Sequence, residues 1–260
     1  MRRSGTLRWA LWVPLVAWTC GPPVARRPET TAVAVGAHAG SASDYRKVRQ
    51  GCDQHVYQER HRQTGLSLDV RHERPDGLLF GGRVWTLTGR LTDTSGFEPV
   101  PGDAYRLWGV GLSMGKDWLV TGVEGGANLV GAVDGPLSPF GFLRVKAGNL
   151  ERVWFETQFS ADDPQLTFNL FSAGLGLRSG SLRLRTGADV HGHLFVSRRP
   201  KGIRDLDDPK GLDLAIDSAP FGAYLDLQVE IFGGFGLALG GELAARDSAG
   251  RAGILYRFAE

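Results

Sequence analysis

Asp189, His191 and His193 stand two residues apart in the stretch SLRLRTGADVHGHLFV, residues 181 to 196. Side chains two apart on an extended chain share a face, so a carboxylate and two imidazoles would meet there. Such a set can act as a base with an orienting carboxylate, or supply two metal ligands from His191 and His193. Any two histidines at this spacing share a strand face, however, and the sequence names neither a third ligand nor an activated nucleophile. No residue is assigned as catalytic and no cofactor is expected; hydrogen bonding is the plainer role for the pair. The remaining reactive side chains are two cysteines, Cys20 and Cys52, which allow at most one bridge. Cys52 has no identifiable base partner and reads as a passive thiol.

The element that carries Asp189 has a second, oily face, made by Leu182, Leu184, Val190, Leu194 and Val196, while Arg183 and Arg185 join the polar side. This period of two recurs from about residue 78 onward and is the strand signal. Candidate strands cover 78–92, 105–114, 117–133, 139–147, 151–159, 166–178, 181–197, 221–232, 235–246 and 251–258, with a short alternating piece at 66–71. Most exceed the five or six residues usual in soluble sheets and approach the roughly 9–11 of a tilted membrane-spanning strand. A phase slip between Asn169 and Ser172 predicts a bulge. The composition agrees with an all-β chain: 37 of 260 residues are glycine, about twice the usual share.

The N-terminus carries Arg2, Arg3 and Arg8 before an apolar run from Trp9 to Trp18. That run is too short to span a bilayer as a helix, and the pattern is that of an export signal over 1–20. Cys20 sits where a bacterial lipobox would place a lipidated cysteine, and Ala37-His38-Ala39 offers a competing cleavage site. Residues 21–64 read as a linker or periplasmic segment, rich in Pro, Ala, Gly and Ser at first. Tyr45, Val48, Cys52 and Val56 then follow at near-helical spacing, which suggests a short helix. The barrel is expected over 65–260. Thirty basic residues against 28 acidic ones leave a net charge of +2, no footprint for nucleic acid.

Alternation alone does not separate an oily face turned to lipid from one turned to a soluble core. The connections do favour one side. Those at 115–116, 148–150, 179–180 and 233–234 are short and fall at one end, and the longer ones at 93–104, 134–138, 160–165, 198–220 and 247–250 fall at the other. Short periplasmic turns opposite long outer loops are the outer-membrane pattern. The chain ends RAGILYRFAE, where Arg251, Gly253, Tyr256 and Phe258 follow a polar-x-Gly-x-x-aromatic-x-aromatic order. This resembles the C-terminal assembly signal of bacterial outer-membrane β-barrel proteins, although Ala259 and Glu260 follow the last aromatic. The resemblance implies an antiparallel up-and-down transmembrane β-barrel of about ten strands, within a range of eight to twelve. It also implies outer-membrane lipid and the barrel-assembly machinery as partners, and the outer membrane of a Gram-negative bacterium as location.

In that register the oily face carries Trp85, Leu87, Leu91, Trp108, Val110, Leu112 and Met114, among others. The lumen holds Arg90, Glu124, Arg144, Lys146, Arg152, Glu156, Arg183, Arg185, Asp189, Asp226, Glu230, Glu242 and Arg257. Mixed signs suggest an ion-pair network filling a narrow barrel, since buried charges survive when paired. Arg183 and Arg185 are expected near Asp226 and Glu230, and Arg144 and Lys146 near Glu156. A barrel this small is no general porin. A structural, surface-binding or small-pore role follows, with the loop 198–220 as the candidate contact for an extracellular ligand. Two other readings stay open: a soluble or lipid-anchored periplasmic barrel binding a small apolar ligand, and a rim hydrolase using Asp189, His191 and His193. A soluble barrel would place Arg183 and Asp226 outside; a membrane barrel would place them inside.

Overall fold

The computed structural model describes residues 28–50, 53–94, 104–132, 137–159, 167–196, 212–244 and 248–259. The side chains at 42–50, 53–59, 91, 93–94, 132, 138, 167–170, 191–196, 212–220 and 259 lie outside that description. The described chain is all strand and turn. In order come β1 (Thr30–Gln50), β2 (Asp53–Glu73), β3 (Leu78–Thr94), β4 (Ala104–Asp117), β5 (Thr121–Ala132) and β6 (Leu137–Asn149). They are followed by β7 (Val153–Phe159), β8 (Thr167–Ser179), β9 (Leu182–Val196), β10 (Leu212–Phe232), β11 (Phe235–Ala244) and β12 (Ser248–Ala259). Each strand pairs with its neighbour in sequence, and β12 closes on β1 to give a barrel of twelve strands. Closure is antiparallel, from Thr30 opposite Ala259 to Ser41 opposite Ser248.

The count is twelve rather than about ten because 30–50 and 53–64 are strand rather than linker and short helix. Thr30 onward is already β1, and β2 takes in the 66–71 piece left unassigned by the sequence. The signal there was faint because the inward positions Ala32, Ala34 and Gly36 are small, so the oily alternation is carried by little more than Val33 and Val35. Tertiary pairing outweighs that weak local pattern. The slip between Asn169 and Ser172 is present as a register shift between Asn169 and Phe171. The export signal, Cys20 and Cys52 lie outside the described residues.

Turns at one end are tight. Glycines at positive φ, including Gly77 (79°), Gly180 (54°), Gly233 (53°) and Gly234 (85°), serve the connections there, where a Cβ would be strained. Both Thr30 and Ala259 pair at this end. The connections at 95–103, 133–136, 160–166, 197–211 and 245–247 belong to the opposite end. Two hairpins reach farthest toward it. β1 and β2 stay paired as far as Gln50 and Asp53, well past the last β12 partner at Ser41. β9 and β10 stay paired as far as Val196 and Leu212, whereas β11 ends opposite Gly222.

The outer wall is apolar. Leu68, Val84, Val110, Leu112, Leu129, Val145, Leu175, Leu225, Leu239 and Ile254 are all exposed. Aromatic residues border this band. Near the tight turns Phe232, Phe235, Tyr256 and Phe258 form a chain of ring contacts with centroids 5.8, 4.4 and 4.4 Å apart. Near the other end Phe159 and Phe171 meet edge to face at 5.3 Å. An apolar band between aromatic girdles is how a barrel meets lipid.

One strand has the opposite phase to expectation. Trp85 and Leu87 are buried inside, each 4% exposed, whereas Val84 is 50% exposed and Arg90 lies on the outer surface. Bulky apolar side chains suit either environment, so hydrophobicity could not fix the phase of β3. Gly109 settles it: a Cβ there would run into the Trp85 indole from the adjacent strand.

Candidate functional site

Alternate residues of every strand point inward, and near the tight-turn end those residues are charged. Glu73, the last residue of β2, accepts bonds from Arg71 on its own strand (3.2 Å), from Arg178 of β8 (3.1 Å) and from Arg183 of β9 (2.9 Å). β8 lies diametrically opposite β2 in the strand order. These ion pairs therefore span the lumen.

A second node forms around Glu124 of β5, which is 3% exposed. Arg71 reaches it across two intervening strands at 3.0 Å and Arg144 of β6 at 3.3 Å, while Lys146 sits 4.0 Å away and bonds Asp117 at 3.2 Å. A third node joins Glu156 and Asp226 through Arg185, at 2.5 and 3.3 Å, and Arg251 of β12 completes it by pairing with Asp226. Glu156 also accepts from the Trp154 indole at 3.0 Å. Arg257 pairs with Glu230 at 3.3 Å, and Arg83 with Asp69. Charges taken from water need such multiple partners to be tolerated. Residues of this network line a cavity of about 410 Å³ inside the barrel, with Glu73, Glu124, Arg178 and Arg183 in its wall alongside Ser67 and Asn128.

Toward the long-connection end the interior changes character. Gln63 donates to the Tyr105 hydroxyl at 2.5 Å, and His61 stacks edge-on to the same ring at 5.8 Å. Leu87, Leu107 and Val130 are buried around them. This wall of the lumen is packed like a small core.

Of the residues singled out by sequence, Arg144, Lys146, Glu156, Arg183, Arg185, Asp226, Glu230, Glu124 and Arg257 stand in the lumen with the partners given above. Asp189 and Glu242 are buried inside at the other end of their strands. Arg152 is not in the lumen: it lies in the exposed turn between β6 and β7. Arg90 is outside, as the phase of β3 requires. The expected partners are partly exchanged. Lys146 is opposite Glu156 in the ladder, yet Glu156 pairs with Arg185; Arg183 goes to Glu73 instead of Asp226 or Glu230. The backbone of His191 and His193 is part of β9, but their side chains lie outside the described residues. Among the described residues no group of three His, Cys, Asp or Glu could hold a metal. Gly253, Tyr256 and Phe258 lie on the closing strand, with Gly253 against the β1 backbone and both aromatics on the outer surface.

Sequence reading missed Arg71, Glu73, Asp117, Arg178 and Arg251 as members of the network. A usable signal existed for the first two: Asp69, Arg71 and Glu73 alternate with Leu68 and Val70 in the same way as the later strands. Arg183 and Asp226 stand inside, with Leu182, Leu184, Leu225 and Leu227 on the other face of their strands. This is the architecture of a bacterial outer-membrane β-barrel, and the opposite of a soluble barrel with an apolar interior.

No family model matches the chain, and no curated protein matches it. Among solved structures it is similar to the translocator domain of the autotransporter NalP from Neisseria meningitidis, at 13% identity and a TM-score of 0.45, over 96% of this chain and 94% of that one. A triple-mutant porin of Rhodopseudomonas blastica shares 6% identity at a TM-score of 0.30, over 88% of this chain and 100% of the porin.

Proposed function

We propose that this chain is a narrow barrel of the Gram-negative outer membrane. Its lumen is occluded near the periplasmic end by ion pairs, and its role is to anchor two long hairpins, β1–β2 and β9–β10, at the outer side. The observation that carries this reading is Glu73, held from opposite walls by Arg71, Arg178 and Arg183. Strong charge-assisted bonds that cross from one wall to the other narrow the bore there. Turns of two to four residues at one end, against connections of up to fifteen residues at the other, support the orientation. The apolar band bordered by aromatics supports insertion.

Assembly through β12, whose Tyr256 and Phe258 face outward, belongs to the same proposal. So does contact with an extracellular partner through 198–220, of which 212–220 are already strand β10 rather than loop and 198–211 lie outside the described residues. No observation on the described residues favours rim hydrolysis, and enzyme activity is not proposed.

Planar-bilayer recording of the refolded protein tests the reading. Wild type is expected to give no steady porin-like conductance, and Glu73→Ala, which releases the two facing arginines, is expected to open measurable steps. A wide wild-type conductance, or no difference between the two, would overturn it.

A further inference from the structure

Among the described side chains, the outward-facing arginines of the strands are confined to one wall. Arg60 and Arg62 of β2, Arg90 of β3 and Arg106 of β4 are all exposed, while their inward neighbours His61, Gln63, Tyr105 and Leu107 are buried. Arg62 and Arg90 are direct cross-strand partners. Arg106 stands opposite Thr88, which places it diagonally beside Arg90. Directly opposed side chains have their Cβ atoms about 4.5–5.5 Å apart, and like charges in that position destabilise a sheet. Among the described side chains no carboxylate pairs with any of the four. Asp93, whose side chain lies outside the described residues, stands opposite Arg60 in the ladder; Arg62, Arg90 and Arg106 have no carboxylate opposite them in the described ladder and share one patch of wall with Arg60.

Their height is as telling as their sign. Descending each strand from the arginines, β2 presents Thr64 and then Leu66, Leu68 and Val70. β3 presents Thr88, Thr86 and then Val84, and β4 presents Trp108, Val110 and Leu112; all of these are exposed. The patch thus sits just above the apolar band, on the side of the long connections, with Trp108 at the boundary. An arginine there can keep its stem against the band and its guanidinium at headgroup level, and guanidinium binds phosphate in a two-pronged fashion.

We infer that Arg60, Arg62, Arg90 and Arg106 form a binding site for a phosphorylated lipid headgroup of the outer leaflet, of the lipid A type. The inference rests on the orientation proposed above. Two or more phosphate oxygens lie among the four guanidinium groups and offset the repulsion between Arg62 and Arg90, while the acyl chains run down the wall over Leu66, Val84 and Val110. The interaction weakens with salt, because the patch faces solvent.

The full chain is refolded into phosphatidylcholine nanodiscs containing lipid A, and lipid retained by the protein is counted by native mass spectrometry after detergent extraction. Wild type is expected to retain lipid A, and Arg62→Ala/Arg90→Ala to retain at least about tenfold less, since two charge-assisted bonds to phosphate are lost. Arg74→Ala/Arg152→Ala removes two exposed arginines from the opposite end and is expected to retain lipid A as wild type does. In zwitterionic detergent alone the Arg62→Ala/Arg90→Ala variant should be at least as heat-stable as wild type, because it removes like-charge repulsion. Equal retention by the two double variants would overturn the inference. So would equal retention of dephosphorylated lipid A, or displacement by inorganic phosphate at matched charge, which would point to a free anion. A chain that fails to insert and shows no heat-modifiable gel shift contradicts the membrane reading itself, whereas a chain that inserts and retains no lipid A contradicts only the site.

Discussion

Glu124 shows how the lumen balances charge one residue at a time. Its carboxylate is buried and has Arg71, Arg144 and Lys146 around it. Removing it leaves three cations with one fewer anion in a confined space, and breaking a buried pair from one side costs about 3–5 kcal/mol. Glu124→Ala is therefore expected to lower the urea midpoint of the refolded barrel markedly, whereas Glu151→Ala in an exposed turn should stay within about 0.5 kcal/mol of wild type. Equal midpoints would mean that the network is solvated and carries little. The glycines act at the same scale. A Cβ on Gly176 would run into the Trp154 indole, whose nitrogen bonds Glu156. Overpacking of this kind costs about 1–3 kcal/mol. Gly176→Val should thus destabilise and also alter the tryptophan emission, and an unchanged spectrum would contradict the close approach.

At the scale of the strand, what matters is which face meets lipid. Leu225 is half exposed on β10, in the middle of the outer band, and Phe232 lies at the tight turn. Charge on the lipid face costs roughly 2–4 kcal/mol at the midplane and about 0–1 near the interface. Unfolding from bilayers should rank Leu225→Arg well below Phe232→Arg; the reverse order would place the band elsewhere. This depth profile was legible in the sequence for β4, β7, β9, β10 and β11, where large apolar residues alternate with polar ones and only one phase is physically tolerable. It was not legible for β3, where Trp85 and Val84 are both apolar and the choice depends on Gly109 of the next strand. Nor was it legible for β1, whose small inward residues give almost no alternation. The cross-lumen partners of Glu73 could not be read at all: they depend on strand register accumulated around the whole barrel, which no local pattern records.

For the molecule as a whole, closure of twelve strands removes the sheet edges within the barrel and pairs its backbone there, the condition for a sheet to span a membrane. The even count brings Thr30 and Ala259 to one end and leaves the long hairpins at the other. The central claim is that the charged face of the strands points into the lumen and the oily face into lipid. Nitroxide labels placed singly at Leu184, Arg185, Leu225 and Asp226, with Cys20 and Cys52 replaced by Ser, report this in reconstituted bilayers through power-saturation accessibility. Labels at Leu184 and Leu225 should be relaxed by lipid-dissolved oxygen and shielded from a water-soluble nickel complex, and labels at Arg185 and Asp226 should show little oxygen accessibility. Oxygen access at Arg185 and Asp226, with Leu184 and Leu225 shielded from it, would turn the barrel inside out and contradict the account.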